Sequence, residues 1–184
     1  MTAGAPPAAE RALARVFFAL WPDEAVRGEL ARAARALHAA CGGRVARPEN
    51  VHLTLVFLGD VERGRLDALR EAASAVRAPA HDLPLERFGW FRRNRVAWAG
   101  PERTPAETLE LVHGLEAALK QARFAFDARP YEAHITLLRK AECGKDLPKI
   151  APIRWAAREF VLVESELNAG GSIYRITGRW ALQS

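Results

Sequence analysis

The sequence predicts an α+β fold of mostly antiparallel strands with helices packed outside them, for three reasons. Seven stretches of bulky and β-branched residues read as strands, many joined by connections short enough for antiparallel pairing. Three longer stretches carry apolar residues at helical spacing. One pattern, His-x-Thr-Leu, occurs at His52 within VHLTLVFLG and again at His134 within AHITLLRK. The doubled motif and the order of elements predict a pseudo-duplicated, two-lobed arrangement with a central cleft, although the halves share little sequence outside the motif.

Taken in order, residues 1–12 are Ala- and Pro-rich without apolar periodicity and are expected to form a flexible tail, leaving 13–184 as one two-lobed domain. Arg15 to Leu20 reads as a strand. Asp23 opens a helix with Val26, Leu30, Ala33, Ala34, Leu37 and Cys41 on one face, closed by Gly42 and Gly43. After a turn at Pro48 to Asn50, the first motif strand runs from Val51 and is expected to end at Gly59. A second helix is expected over Asp60 to Val76, weakened at its start by Gly64, and Pro79 to Pro84 reads as loop. Leu85 to Phe91 and Arg95 to Ala99 form a hairpin with Arg92, Arg93 and Asn94 at its tip. Thr104, Pro105 and Glu107 then stand where a capping threonine, a first-turn proline and a capping-box glutamate belong, ahead of the stripe Leu111, Val112, Leu115, Ala118 and Leu119. The second motif strand follows Pro130 and Tyr131, and strands over Phe160 to Leu167 and Ile173 to Leu182 flank a turn at Asn168 to Gly171.

With 184 residues, 49% hydrophobic and 27% charged, the chain has the composition of a soluble globular protein with an adequate core. The apolar run Val16 to Trp21 is too short for a signal peptide or a membrane span, so no membrane association is expected. Cys41 and Cys143 lie in unlike contexts without metal-type spacing, which favours a reducing, cytoplasmic compartment. The net charge of +5 is carried mostly by arginine, including the run FRRNR at Phe91 to Arg95. Such a surface attracts polyanions, although an Ala- and Arg-rich composition also follows from a GC-rich genome.

Side chains of a strand alternate faces, so His52 shares a face with Thr54, and His134 with Thr136, while Leu53, Leu55, Ile135 and Leu137 face inward. Two imidazoles meeting across a cleft suit a reaction that needs an acid and a base at once, and the hydroxyls suit phosphoryl oxygens. A metal would need further ligands; none lies within either motif, although Asp60 and Glu132 flank them. A single such histidine would more simply be a satisfied core residue; the repetition argues for function. His38, His81 and His113 read as surface or core-edge residues.

VHLTLVFLG, PYEAHITLLRK and the opening RVFFALWPDE resemble the 2H phosphoesterase superfamily, specifically its RNA 2′,3′-cyclic phosphodiesterase branch, historically called 2′-5′ RNA ligases. The resemblance runs from Arg15 through the closing strands. It implies that His52 donates a proton to the departing ribose oxygen, that His134 activates water, and that Thr54 and Thr136 hold the phosphate. The implied product is a 2′-phosphomonoester, made without metal or cofactor, with reverse 2′-5′ ligation allowed. Arg139, five residues after His134, matches an arginine that clamps phosphate, whereas the first copy has Phe57 there. Ala133 replaces the proline common before the second histidine. Tyr131 and Phe17 or Phe18 are candidates for stacking on a base or ribose. The expected partner is RNA or an oligonucleotide with a 2′,3′-cyclic phosphate, handled by a monomer. A small-metabolite cyclic phosphodiesterase, such as one for an ADP-ribose cyclic phosphate, and a non-catalytic module holding RNA 3′ ends remain the alternatives.

Overall fold

Asp23 starts the first helix as its sequence position predicts: its Oδ1 accepts from the Val26 amide at 2.9 Å, satisfying one of the first-turn donors. In the computed structural model, which describes residues 12–168 and 171–183, this helix is α1 (Glu24–Cys41) and follows β1 (Leu13–Leu20). Val26, Leu30, Ala34, Leu37 and Cys41 turn inward. Burial of Leu30 and Leu37, both fully enclosed, contributes roughly 1.5–3 kcal/mol each. Gly42 ends the helix and Gly43 (φ +86°) lets the chain pass within 2.7 Å, at a would-be Cβ, of the Arg139 carbonyl oxygen.

The chain continues through β2 (Arg44–Val45), β3 (Leu53–Glu62), α2 (Leu66–Ser74), β4 (His81–Leu85), β5 (Arg87–Phe91) and β6 (Val96–Gly100). It closes with α3 (Ala106–Gln121), β7 (Ile135–Arg139), β8 (Ile153–Ala157), β9 (Glu159–Asn168) and β10 (Gly171–Ala181). The main sheet has the order β10-β9-β1-β3-β7-β6-β5, with β2 also on β7, and its ladders are antiparallel. β4 and β8 form a separate two-stranded sheet. The fold is therefore α+β with antiparallel sheets and, among the described residues, three α-helices.

The seam between the halves runs between the two motif strands, which pair at Leu53 and Ile135. On one side of it lie β10, β9, β1 and β3; on the other lie β7, β6, β5 and β2. Helices cross over: α1 packs on β7 and β8, whereas α2 and α3 pack on each other and on β10 and β3 respectively.

Several sequence expectations shift. β3 does not stop at Gly59 but passes through it, at φ +76°, to Glu62, because an irregularity around Leu58 lets the strand keep pairing with β1. The second helix consequently begins only at Leu66, after a 3-10 turn at Arg63–Arg65. Its entry is anchored by the ion pair of Arg63 with the buried Glu164. Pro105, not Thr104, occupies the cap position of α3, and no side chain caps its amides. The stretch Pro79 to Pro84, expected as loop, holds β4, and β8 was not expected; these two pair with each other, apart from the main sheet. His81 is buried within β4, bonded to Thr108 Oγ1 (2.8 Å) and the Pro79 carbonyl (3.0 Å). Cys41 and Cys143 are joined in a disulfide, so their presence no longer argues for a reducing compartment. The expected N-terminal tail falls, up to residue 11, outside the described residues, as do positions 169 and 170 of the expected turn. Among the described residues no helix is long and apolar enough to cross a membrane.

Candidate active site

Pairing of Leu53 with Ile135 in antiparallel register sets His52 against Thr136 and Thr54 against His134. The two motifs thus present one four-residue polar patch with approximate twofold symmetry. The symmetry extends to the imidazoles. His52 Nδ1 lies 2.7 Å from the Asn50 carbonyl and His134 Nδ1 2.8 Å from the Glu132 carbonyl, each two residues back. A carbonyl only accepts, so both Nδ1 atoms carry hydrogen and both Nε2 atoms are left to exchange protons. His52 Nε2 accepts from the Thr54 hydroxyl at 3.1 Å.

A second symmetry was hidden from strict alternation. In β7, Thr136 pairs with Trp98 and Leu138 with Ala97, leaving Leu137 as an extra residue. In β3, Thr54 pairs with Ala19 and Val56 with Phe18, leaving Leu55 extra. Each HxTL leucine is therefore a β-bulge, after which the faces exchange. Burial bears this out: Leu55 and Val56 both enter the main core, as do Leu137 and Leu138. The residue five after each histidine is swung onto the site face. Phe57 joins the small cluster of Phe17 and Ala19 on that face, and Arg139 stands exposed, its charge felt at His52.

The environments of the histidines differ. His52 is boxed by Phe17 (stacked, 4.8 Å between centroids), Trp21 (stacked, 5.3 Å) and Tyr174 (edge-on, 5.2 Å). Its pKa is lowered to about 4, first by burial and then by the positive charges of Arg139 and His134, against the Asn50 hydrogen bond. At neutral pH His52 is accordingly uncharged in the free protein. His134 is half-buried, with Phe91 edge-on at 5.0 Å and Trp98 at 6.0 Å. Trp98 in turn lies under the Arg87 guanidinium (4.7 Å), which also pairs with Glu132 at 3.3 Å.

The expected residues fare unequally. His52, Thr54, His134, Thr136 and Arg139 share the site face. Phe17 also faces the site but is 3% exposed and stacks on His52, so it supports the imidazole rather than offering a free face to a base. Phe18 is wholly buried on the opposite side. Tyr131 packs against the core and donates its hydroxyl to the Thr54 carbonyl at 3.2 Å; burial raises its pKa. It braces the first motif strand and is not an open stacking surface. The flanking carboxylates are engaged by arginines, Glu132 as above and Asp60 with Arg15 at 3.9 Å, and no cluster of three His, Cys, Asp or Glu suited to a metal occurs among the described residues.

Sequence reasoning missed Trp21, Tyr174 and Asn50. The first two come from distant segments folded beside His52. Asn50 holds the His52 Nδ1 through its carbonyl while its side-chain amide donates to the Ser172 carbonyl at 2.9 Å, tying the motif to β10. Only its position two residues before the histidine could have suggested it.

Comparison with known proteins agrees with the geometry. The LigT-like phosphoesterase family model matches residues 20–98 and 100–174. An RNA 2′,3′-cyclic phosphodiesterase of Escherichia coli is 32% identical over 170 residues, covering 91% of this chain and 96% of its own. One from Thermus thermophilus is 29% identical over 180 residues, covering 92% and 90%. The structure of E. coli LigT in apo form superposes with a TM-score of 0.83 at 31% identity, covering 95% of this chain and all of that one. The same protein complexed with 3′-AMP gives 0.82 at 30% identity, covering 94% and 99%.

Proposed function

The chain belongs to the LigT-like phosphoesterase family, and from that premise we propose that it hydrolyses 2′,3′-cyclic phosphate ends of RNA to 2′-phosphomonoesters without a metal. The observation that carries the reading is the juxtaposition of two His-x-Thr units in antiparallel register, each with Nδ1 anchored and Nε2 turned to the site. The names of the relatives supply the substrate class.

In this mechanism the cyclic phosphate lies between the imidazoles, its non-bridging oxygens held by the Thr54 and Thr136 hydroxyls and the Arg139 guanidinium. His134 Nε2 takes a proton from water as the water oxygen bonds to phosphorus. The bond from phosphorus to the 3′ oxygen breaks, and His52 Nε2 gives that oxygen its proton. The 2′ ester remains, and microscopic reversibility allows 2′-5′ ligation through the same groups. His52 rests neutral, with a pKa of about 4, so its donor role requires the anionic substrate to restore its proton affinity. The phosphate does so by bringing its own negative charge beside the imidazole and by offsetting that of Arg139, one of the causes that lower it.

The test is product analysis of an RNA ending in 2′,3′-cyclic phosphate, with and without EDTA. Turnover to the 2′-phosphate should persist in EDTA and fall by about 10²–10⁴ in His52→Ala and in His134→Ala. Full activity in both variants would sink the reading. Binding without turnover, unchanged by either substitution, would mark a holding module instead.

A further inference from the structure

Beside the second motif lies a groove that the two-histidine chemistry does not use. It is an open groove of about 640 Å³ lined by Trp90, Phe91, Arg92, Arg93, Asn94 and Arg129. That volume falls within the roughly 300–1,000 Å³ of small-molecule sites and has room for a nucleotide. Trp90 and Phe91 end β5, the next three residues form the 3-10 turn of the hairpin tip, and Arg129 comes from the segment leading into β7.

Phe91 joins this groove to the site, since the ring that forms part of its wall also stands edge-on to His134 at 5.0 Å. The lining contains three arginines and no carboxylate. Arg129 is held by Asp127, and the neighbouring Arg87 and Arg95 by Glu132 and Glu142. Arg92 and Arg93 pair with no carboxylate among the described residues; Arg92 instead lies over the Trp90 ring at 5.4 Å. Aromatic rings interleaved with unneutralised arginines, in a groove that shares the Phe91 ring with the histidine site, match the requirements of a single strand: stacking for a base and charge for its backbone.

We infer that this groove holds the nucleotide on the 5′ side of the terminal one, so that the enzyme prefers RNA strands to cyclic mononucleotides. A cyclic mononucleotide fills the histidine site alone, whereas a strand must also place its next phosphate and base. Phe91 offers that base a stacking surface, Trp90 packs on the core and carries Arg92 over its ring, and Arg92 and Arg93 take the phosphates. The inference rests on the reading of the histidine site as a cyclic-phosphate site, and its test separates the two.

The full-length protein and its Arg92→Ala/Arg93→Ala variant are compared on 2′,3′-cyclic AMP and on a hexanucleotide ending in 2′,3′-cyclic phosphate. Both arginines are exposed on a turn, so the fold is not at stake. For the hexanucleotide, kcat/KM should fall roughly tenfold or more, and the log–log salt slope of binding should flatten by about 1.4, or 0.7 for each of two phosphate contacts. For cyclic AMP it should stay within about twofold. Equal losses on both substrates, or none on the hexanucleotide, overturn the groove. Should the wild type turn over neither, the cyclic-phosphate reading fails by itself, and fluorescence anisotropy with the same hexanucleotide bearing a 3′-phosphate still decides the groove. Weaker binding by the variant upholds it; equal binding overturns it.

Discussion

At the scale of single residues, the unequal surroundings of His52 and His134 matter most. Both imidazoles are held alike by a carbonyl two residues back, yet His52 alone is enclosed by Phe17, Trp21 and Tyr174. NMR titration of the free protein should place His52 near 4, as its burial dictates, and saturating inorganic phosphate should move it upward. If it stays near 4 with phosphate bound, His52 cannot be the proton donor and the two roles must be exchanged. Stability carries the same information. Unfolded, His52 titrates near 6.5, whereas folded it resists protonation down to about 4. As pH falls through that window the unfolded chain binds a proton that the folded one refuses, so stability drops, by up to about 3 kcal/mol, and levels off below it. Urea melts of wild type and His52→Gln between these pH values should show a shallower acid slope in the variant; parallel slopes would remove His52 as the cause.

At the scale of elements, the motif strands show how far a sequence can be read. The shared face of His52 with Thr54, and of His134 with Thr136, was legible because strand side chains alternate with period two. The place of Arg139 follows from the resemblance and not from alternation, which puts it with Ile135 and Leu137, facing the core. One extra residue at Leu137 reverses that, and pairing partners in β6 reveal it. β4 and β8 are hidden in the sequence for another reason: Pro84 lies within β4 and Pro152 abuts β8, and proline signals a loop unless the strand has a free edge. Two substitutions test what holds the motifs in place. Tyr131→Phe removes the hydroxyl on the Thr54 carbonyl and should cost about 1 kcal/mol in urea unfolding while leaving KM for the cyclic substrate little changed; a large rise in KM would restore Tyr131 as a binding residue. Gly89→Ala would drive a methyl to 2.1 Å from the Trp98 ring, which lies beside His134. It should destabilise by about 1–3 kcal/mol and lower kcat, because the ring has to move; an unchanged melting temperature would contradict this packing.

On the scale of the whole molecule, the halves are joined by little backbone pairing where they matter most. β3 meets β7 at Leu53 and Ile135, so their relative position must come from elsewhere. Two features supply it. The crossed helices place α1, from the N-terminal half, against β7 and β8. The Cys41–Cys143 disulfide then fastens the end of α1 to the segment leaving β7, four residues beyond Arg139, alongside the hydrogen bond from the Glu142 amide to the Cys41 carbonyl. The cross-link closes a loop of 102 residues, for which chain entropy sets an upper value of about 4.7 kcal/mol, with 2–4 kcal/mol typical of measured cases. Urea unfolding of the oxidised protein against Cys41→Ala/Cys143→Ala should therefore show a loss within that typical range. Identical midpoints would mean that helix packing alone fixes the halves. Under the proposed mechanism Arg139 holds the phosphate, and the cross-link restrains the backbone that carries it, so the variant's KM for a cyclic-phosphate substrate should rise while kcat changes less. A fall in kcat with KM unchanged would place the effect of the cross-link on the histidines and not on Arg139.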